Sequence, residues 1–519
     1  MSSTATPSAK PMPLTPAQEK MVIVTTAVVS GMGFADMTAV NTALPIIQLE
    51  LAMDATSAHW VAEIYLVFVA SLMMMGGALG DRFGRRRILR YGIIAFAASS
   101  VLCALSDSAA MLIFGRAVQG IAAALAMPSS LALLNACFPP QRRGRAVGTW
   151  AVITSLMIPL GPVIGGAAVD LLSWQWIFLI NIPISAFSLY TLRRVPPPPY
   201  DPPVGGRLDI PGVIAITGGL AALVLGLLEG ARGGFSDPLV IASLVAAALL
   251  LPLFLIIEAI SQEPMLPLHL FRRRAFAMAN LQTALFFGGF HGTIFLLPFF
   301  LIQVFGYSAF QAGITALPIS AAIIILSRPV GRFMDKYGPG PLLAVAPFLV
   351  AAGIFLLARS PAQGTYLGDI LPAILLFACG IGLYIVPITT VAMNAAGEGR
   401  SGLASGVNNS IARIAGLIAI ALLGILLSTG FSGTLIPGLN ELGLDDSQMG
   451  LALGQIKRLG AMAPPESLSA PQAEAFRLLV RQAFAAGFRD AITVAAAVMG
   501  LAGIVGVLTL RKIAATPEE

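Results

Sequence analysis

The sequence has few charged residues: aspartate, glutamate, lysine and arginine together make up 11% of its 519 residues. An average soluble domain carries about 25%. Hydrophobic residues make up 57% of the chain and the mean hydropathy is +0.86. A water-soluble globule cannot bury so much apolar material, because its surface stays largely polar. Soluble enzymes, disordered scaffolds and nucleic-acid-binding domains are therefore poor descriptions of this chain, and no nucleic acid partner is expected.

Residues that carry catalysis or bind metals are also scarce. The chain has three cysteines and three histidines, with neither a C-x-x-C nor an H-E-x-x-H pattern. None of its five lysines lies in the G-x-x-x-x-G-K-[ST] pattern of a phosphate-binding loop. The sequence therefore predicts a protein that is not an enzyme and that has no metal site and no cofactor.

Long hydrophobic runs are abundant. A membrane-spanning helix needs about 20 mostly apolar residues, and fourteen such runs follow one another, separated by breaks with glycine, proline and charge. Residues 1–20 are polar and lack the pattern of a cleaved signal peptide, so the first run is predicted to stay as a helix. The predicted spans are 21–46, 59–79, 90–106, 109–136, 146–169, 175–192, 210–229, 238–258, 276–301, 309–330, 341–358, 368–393, 403–428 and 489–510.

Basic residues set the orientation of the predicted spans. With the N-terminus inside, cytoplasmic segments hold 21 of the 31 lysines and arginines, as the positive-inside rule requires. Both termini are therefore predicted in the cytoplasm of a multi-pass protein of the cell (inner) membrane. The net charge of +6 then reflects topology rather than an anionic ligand. Residues 429–488 form the long extracytoplasmic loop, in which 473–489 is either an interfacial amphipathic helix or the start of the last span.

A repeated motif divides the chain. G-A-L-G-D-R-F-G at 77–84 and G-R-F-M-D-K-Y-G at 331–338 both fit G-x-x-x-D-[RK]-[FY]-G and lie 254 residues apart. Arg145 and Arg400, which begin spans five and thirteen, lie 255 residues apart. The alternative is that short loops between membrane helices converge on such residues. The repeat predicts two parallel six-helix halves: a tail at 1–20, an N-terminal half at 21–193, two accessory helices and linkers at 194–275, a C-terminal half at 276–510 and a tail at 511–519.

Five motifs in order resemble those of one family. They are D-M-T-A-V-N-T-A-L-P at 36–45, G-D-R-F-G-R-R-R at 80–87, L-I-F-G-R-A-V-Q-G at 112–120, G-P-V-I-G-G at 161–166 and W-Q-W-I-F-L-I-N-I-P at 174–183. Together they resemble the major facilitator superfamily and, within it, the fourteen-spanner drug/proton antiporters of the QacA/EmrB type. Gln175 departs from that branch, where arginine is usual. The resemblance implies an all-α major-facilitator fold with 14 transmembrane helices.

The resemblance also implies a function. We expect a proton-coupled multidrug efflux antiporter that exports hydrophobic or cationic amphipathic compounds by alternating access. The proton gradient is its energy source. Its partners would be small molecules, protons, the lipid bilayer and, in a Gram-negative cell, a periplasmic adaptor and an outer-membrane channel. Two alternatives stay open: a dedicated exporter of one metabolite, lipid or peptide, and a channel, receptor or intramembrane enzyme.

Three charged residues inside the spans are candidates for proton coupling. Asp36 lies deep in span one, where an acid is costly unless it is paired, hydrated or protonated. Its alternative is a purely structural hydrogen bond to a neighbouring helix. Arg116 in span four is expected to assist proton transfer or, alternatively, to extend to the outer interface. Glu63 in span two is a second proton site, a counter-charge for cationic drugs, or a residue solvated at the outer mouth.

Other polar residues within the spans are candidates for a loosely specific cavity. His291 is either a titrating group or a neutral, hydrogen-bonded histidine. Arg413 is either paired structurally or in contact with substrate. Glu229 and Glu258, at the ends of spans seven and eight, are predicted to be solvated at the interface and have no assigned role. The predicted cavity residues are Asn41, Gln282, His291, Tyr384 and Arg413.

Two further groups are predicted to serve the conformational change. The repeated loop is expected to act as a conformational latch, with orientation of the chain as the alternative role of its arginines. Small residues and proline in span five favour a hinge or a sealing face between the halves. The latch residues are Gly77, Asp81, Arg82, Gly84, Arg85 and Asp335, and the hinge residues of the antiporter motif are Gly161, Pro162, Gly165 and Gly166.

Overall fold

The computed structural model describes residues 14–138, 140–195, 209–262, 264, 266, 268–315, 317–361, 364–395 and 401–510, and this part of the chain is helical with no strand. The α-helices of the first half and of the accessory pair are α1 Pro16–Glu50, α2 Ala55–Phe83, α3 Arg85–Ala104, α4 Ala109–Cys137, α5 Pro140–Leu171, α6 Trp176–Leu179, α7 Asn181–Arg194, α8 Ile210–Gly233 and α9 Pro238–Ile260. Those that come after them are α10 Arg274–Gln303, α11 Ala309–Ile314, α12 Leu317–Tyr337, α13 Gly340–Ala358, α14 Leu371–Ala395, α15 Ser401–Glu441, α16 Asp446–Gly454 and α17 Ala470–Val505. Short 3₁₀ turns at Leu268–Arg272 and Ile456–Ala461 and π turns at Tyr366–Ile370 and Gly506–Leu510 adjoin them.

Side-chain caps explain where several helices begin. The Thr15 hydroxyl accepts a hydrogen bond from the backbone N–H of Gln18, and the side-chain oxygen of Gln18 accepts one from the backbone N–H of Thr15. Together the two bonds form a capping box at the start of α1. Asp54 caps α2 through the N–H of Ser57. Aspartates also cap the two accessory helices. Such caps satisfy backbone donors that the first turn of a helix leaves free.

The hydropathy of the helices fits a membrane protein. Among the described residues, thirteen helices are long and apolar enough to cross a bilayer. They include every predicted span except the fifth. That span corresponds to α5, which is 32 residues long and contributes the shorter apolar stretch Leu160–Leu171. The all-helical membrane fold predicted from the sequence is confirmed, and the count of fourteen helices is approximate.

The helices pack in two groups with a pair between them. α1 to α7 pack chiefly against one another, and so do α10 and α12 to α17, whereas the short α11 of the second group packs chiefly against α5. α8 and α9 pack on each other, and α8 also contacts both α2 and α15. Contacts between the two groups join α1 to α10, α2 to α15, and α5 to α11 and α12. We name the first group the N-terminal half and the second group the C-terminal half.

Both copies of the repeated motif end in a glycine with a positive φ. α2 ends before Gly84, which has φ +96°, and α12 ends before Gly338, which has φ +74°. Only glycine adopts this left-handed region without steric cost, so each copy needs its last glycine to stop the helix. The matching ends support an internal repeat. Arg145 and Arg400, the second pair of the repeat, have side chains outside the described residues.

The segment predicted as a long loop is largely helical. α15 continues to Glu441 and α17 begins at Ala470, so that both helices extend beyond their predicted spans. Phe431 and Leu435 of α15, and Phe476 and Val480 of α17, are buried at helical spacing. Because these apolar rows continue, the helices pack together beyond the spans. Residues 473–489 accordingly form the start of the last helix, not a separate interfacial one.

Arginines cluster at one end of the N-terminal half. A cavity of about 700 Å³ opens between the α2–α3 junction and the end of α7, lined by Arg85, Arg86, Arg87, Arg90 and Arg193 among others. The guanidinium of Arg86 donates to the carbonyl of Arg193 over 2.9 Å. The break after span two and the end of span six therefore lie on the same side, as the predicted topology requires.

Candidate functional site

Asp36 lies at the centre of a buried polar network inside the N-terminal half. Its Oδ2 accepts from Nη1 of Arg116 on α4 over 2.6 Å. Its Oδ1 accepts from Nε2 of Gln119 over 3.0 Å and from Nδ2 of Asn181 on α7 over 2.8 Å. The Arg116 and Asp36 side chains are 1% and 0% exposed. Because every partner of the carboxyl group is an N–H donor, this geometry fits an ionised carboxylate.

Arg116 is held on every side. Its Nε donates to the carbonyl of Val61 on α2 over 3.1 Å, and its guanidinium lies 4.3 Å from the ring centroid of Tyr65. The Tyr65 hydroxyl in turn donates to the carbonyl of Gly33 over 3.1 Å. The alternative of an arginine that extends to the outer interface is wrong for this conformation, since the side chain is enclosed by protein.

Ser100 of α3 completes the network. Ser100, Gln119 and Asn181 were not among the site residues predicted from the sequence. The Ser100 hydroxyl accepts from Gln119 over 2.9 Å and from Asn181 over 3.3 Å. Gln119 and Asn181 both lie within motifs at 112–120 and 174–183 that carried the family resemblance. Their positions in those motifs were the available signal. The network thereby connects α1, α3, α4 and α7.

Glu63 lies on α2 at the contact between the halves. Its side chain is fully buried, and neither carboxyl oxygen has a hydrogen-bond partner among the described residues. One turn away, the His59 ring packs edge-on against Phe295 of α10 at 5.1 Å, and the absence of a side chain at Gly424 of α15 leaves room for it. The alternative of a residue solvated at the outer mouth is therefore wrong for this conformation.

The glycine motif of α5 is a close-packing surface. A Cβ on Gly161 would collide with Thr38, and one on Gly165 would lie 2.7 Å from the Ala39 carbonyl, so α5 lies directly on α1. On the other side, Gly166 faces Ala309 of α11 in the C-terminal half. The carbonyl of Pro162 faces the glycine of α11 in the same way. The geometry is that of a seal between halves.

Asp170, at the end of α5, strengthens this seal and was missed from the sequence. Its Oδ1 accepts the N–H of Ala309 over 3.2 Å and its Oδ2 accepts the N–H of Phe310 over 2.8 Å. A carboxylate from one half therefore caps a helix of the other half. A lone aspartate at the end of a span gave no indication of a partner so distant in sequence.

The predicted cavity residues fall into two sets. Asn41, His291 and Arg413 are partly exposed although they lie within membrane-spanning helices. Gln282 is buried inside the C-terminal half, where its Nε2 donates to the carbonyls of α13 and α17 over 2.8 and 3.0 Å. Tyr384 is also buried and stacks on a phenylalanine ring of α10. Placing these last two in the cavity was wrong for this conformation.

The predicted latch is only partly described. A Cβ added to Gly77 would lie 3.9 Å from the Cβ of Pro128 on α4, which is an ordinary van der Waals contact, so packing does not require glycine at this position. Arg82 lies over the Phe83 ring at 5.4 Å, and Arg85 donates to the carbonyl of Ala132 on α4 over 3.4 Å. The side chains of Asp81 and Asp335 lie outside the described residues. The latch therefore stays a prediction.

The two accessory glutamates differ in their surroundings. Glu258 is buried, and its Oε2 accepts the N–H of Leu266 in the connection that follows α9 over 2.8 Å. The prediction that it is solvated at the interface is therefore wrong. The second glutamate, Glu229, lies near the end of α8.

Alanine at Gly166 is expected to weaken the transport that the family resemblance implies. Its Cβ would collide with the backbone of α11, and overpacking of this kind costs about 1–3 kcal/mol. The sealed conformation then loses population, and we expect export to fall by roughly tenfold. Gly500→Ala is the matched control, because nothing lies within 4 Å of a Cβ at that helical glycine. Equal export by both variants, measured in membrane vesicles, would contradict the sealing role.

Sequence relatives agree with this architecture. The chain is 35% identical over 396 residues to the methylenomycin A resistance protein of Bacillus subtilis, covering 76% of this chain and 84% of that protein. It is 34% identical over 422 residues to the multidrug resistance protein Stp of Mycobacterium tuberculosis, covering 80% and 78%. It is 29% identical over 486 residues to the tetracenomycin C resistance and export protein of Streptomyces glaucescens, covering 93% and 90%.

Solved structures share the fold at low sequence identity. A bacterial homologue of the human lysosomal transporter Spinster matches with a TM-score of 0.66 and 17% identity, covering 97% of this chain and 100% of that chain. The xylose transporter XylE from E. coli matches with a TM-score of 0.54 and 13% identity, covering 94% and 97%. The family model of the Major Facilitator Superfamily matches residues 26–420, which confirms the resemblance. The fourteen-spanner branch is compatible with these matches. The chain therefore belongs to the Major Facilitator Superfamily and is a membrane transporter, not an enzyme.

Proposed function

We propose that this transporter is a proton-coupled efflux antiporter that exports hydrophobic amphipathic compounds from the cell by alternating access. Its location would be the cell membrane, with both termini in the cytoplasm. The resistance proteins among its relatives support export as the direction of transport. A periplasmic adaptor and an outer-membrane channel would be added in a Gram-negative cell. The sequence also predicts cationic substrates. Whether such compounds bind depends on the charged side chains that face the cavity.

The observation that carries the proposal is the buried ion pair of Asp36 and Arg116. A proton on Asp36 would remove the negative charge that three N–H donors satisfy, and Arg116 would lose its counter-charge. Protonation therefore changes the stability of the contacts among α1, α3, α4 and α7. A reversible proton at this position is a means to favour one arrangement of the half over another.

α1 is suited to transmit that change to the contact between the halves. Asp36 and Phe34 are two residues apart and so point about 200° apart around the helix. Asp36 faces the buried network, whereas the Phe34 ring lies 5.2 Å from the guanidinium carbon of Arg413 in the C-terminal half. Thr38 and Ala39 of the same helix contact the glycine motif of α5. One helix therefore contacts the proton site, the seal and the other half.

The transport cycle follows because the proton and the substrate favour opposite conformations. In the described conformation the halves touch where the end of α5, which the predicted topology places on the outer side of the membrane, meets α11. In the same conformation Asp36 has the hydrogen-bond partners of an ionised carboxylate. We assign this arrangement to the state that has released its proton and accepts substrate from the cytoplasm. Substrate release outside would then accompany protonation of Asp36, so that each step requires the other.

Transport into inverted membrane vesicles tests the proposal. With an imposed pH gradient, acid inside, addition of a transported compound is expected to release protons, which acridine orange reports as recovery of its quenched fluorescence. Puromycin, tetracenomycin C and Nile red form the first panel. Uptake of a compound that is indifferent to the gradient would contradict proton coupling and favour a channel-like protein.

A dedicated exporter of a single compound is the second candidate function. It is favoured by relatives named after one antibiotic each, such as methylenomycin A and tetracenomycin C. The same panel separates the two functions. Proton release with several unrelated compounds supports multidrug export, and release with one compound or its close analogues supports the dedicated exporter.

A further inference from the structure

Arg413 is an arginine in the middle of a membrane-spanning helix with no acceptor for its donors among the described residues. It lies on α15, about 18 Å along the axis from Ser401. Within the same part of the chain it makes no hydrogen bond or ion pair, and its guanidinium lies over the Phe34 ring. The side chain is partly exposed. An arginine at this depth is costly unless it pairs or faces water, so its five N–H donors are available to a ligand.

The surroundings of Arg413 are aromatic. Phe287, Phe290 and His291 lie on one face of α10 and are partly exposed, as is Phe34 of α1. The His291 ring contacts both phenylalanine rings, at 5.6 and 5.2 Å, and Nδ1 of His291 is within 3.0 Å of the Phe287 carbonyl. This set presents flat apolar surfaces beside one fixed positive charge.

A glycine on α15 keeps this group together. A Cβ at Gly416 would lie 2.7 Å from Nδ1 of His291, so the imidazole fits against α15 only because that position has no side chain. Gly416 follows Arg413 by three residues and therefore lies on the same side of the helix. The imidazole and the guanidinium consequently border the same space between the halves.

Neither Asp36 of α1 nor Glu63 of α2 pairs with Arg413. Asp36 is committed to Arg116 and two amides. Glu63 is fully buried on α2, and neither of its carboxyl oxygens bonds to Arg413 or to any other described residue. The space beside Arg413 is therefore electropositive, which disfavours a cationic ligand and favours an anionic one.

We propose that Arg413 is the substrate-recognising charge of the cavity and that the transported compounds are aromatic amphipathic anions. A carboxylate or phenolate would accept from the guanidinium in the forked geometry that arginine provides. The aromatic body of the compound would pack on Phe34, Phe287 and Phe290. This inference rests on the proposed export function and narrows its substrate class. It replaces the cationic compounds expected from the sequence.

Two dyes with the same ring system test the charge preference directly. Fluorescein and rhodamine 123 share a xanthene ring but are anionic and cationic near neutral pH. Full-length protein purified in detergent is titrated into each dye, and fluorescence anisotropy reports binding. We expect fluorescein to bind about tenfold more tightly than rhodamine 123, as one charge-assisted hydrogen bond allows. Arg413→Gln should remove that preference, and Arg413→Lys should keep part of it.

The outcomes separate this inference from the export proposal. Equal or tighter binding of rhodamine 123 by the wild type, or an equal loss of both dyes in Arg413→Gln, would overturn the role of Arg413. Arg413→Lys decides the question if the glutamine variant does not elute as a single folded species. Export of fluorescein into inverted vesicles tests the proposed function separately. A charge preference in binding without gradient-driven export would reject proton coupling and leave the role of Arg413 in place.

Discussion

Replacing Asp36 with asparagine is expected to abolish proton-driven efflux while substrate exchange without a gradient persists. The amide cannot take up and release a proton, although it has nearly the shape of the carboxyl group. It also removes the negative charge that Arg116 requires, so the contacts of α1 with α4 and α7 weaken permanently. The measurement is substrate-induced proton release in inverted vesicles under an imposed pH gradient.

The control for this variant is Glu474→Gln. It makes the same chemical change at a carboxylate that forms only an exposed pair with Arg477, and exposed pairs contribute little. Substrate exchange without a gradient provides a second readout, because a structural defect would stop exchange as well. Proton-driven efflux that persists in Asp36→Asn would remove Asp36 from the coupling mechanism and leave the structural alternative.

Replacing Arg116 with methionine is expected to destabilise the protein strongly. Methionine fills much of the same volume but leaves the buried Asp36 carboxylate without its charge partner, and breaking a buried pair costs about 3–5 kcal/mol. The cation–π contact with Tyr65 is lost as well. A large drop in the unfolding temperature of the detergent-solubilised protein is the expected observation.

A double-mutant cycle identifies the cause of that loss. If the destabilisation comes from an unpaired carboxylate, adding Asp36→Asn to Arg116→Met should restore much of the stability, since the buried site then holds no net charge. Additive effects of the two substitutions would instead indicate that packing of the arginine, not its charge, supports the half. Arg116→Lys is the intermediate case, because it keeps the charge but not the forked donors.

The sequence was sufficient for the fold but not for the ends of its helices. Apolar runs at membrane length make an all-helical bundle the only way to satisfy the backbone in lipid. They do not mark where a helix stops outside the lipid. α15 and α17 continue to Glu441 and from Ala470 because their apolar rows pack on each other, which is a tertiary effect. The glycine at the end of each repeated motif was recognisable, since its conformation is local.

The candidate site was predicted residue by residue and not as an arrangement. Asp36 and Arg116 stood out because charge within a span is rare, but their 2.6 Å contact depends on how α1 and α4 pack. Gln282 and Tyr384 were placed wrongly because a polar residue in a span faces either a neighbouring helix or a cavity, and periodicity does not distinguish these. Asp170 was missed because its partners belong to another half.

The position of α8 limits the routes by which a compound dissolved in the bilayer reaches the interior. In this fold the two halves meet along two lateral seams, one between α2 and α15 and one between α5 and α11 with α12. α8 packs on both α2 and α15, so lipid does not reach that seam where α8 covers it. The accessory pair therefore makes the transporter laterally asymmetric, and we expect a hydrophobic compound that partitions from the membrane to approach beside α5 and α12 rather than beside α8.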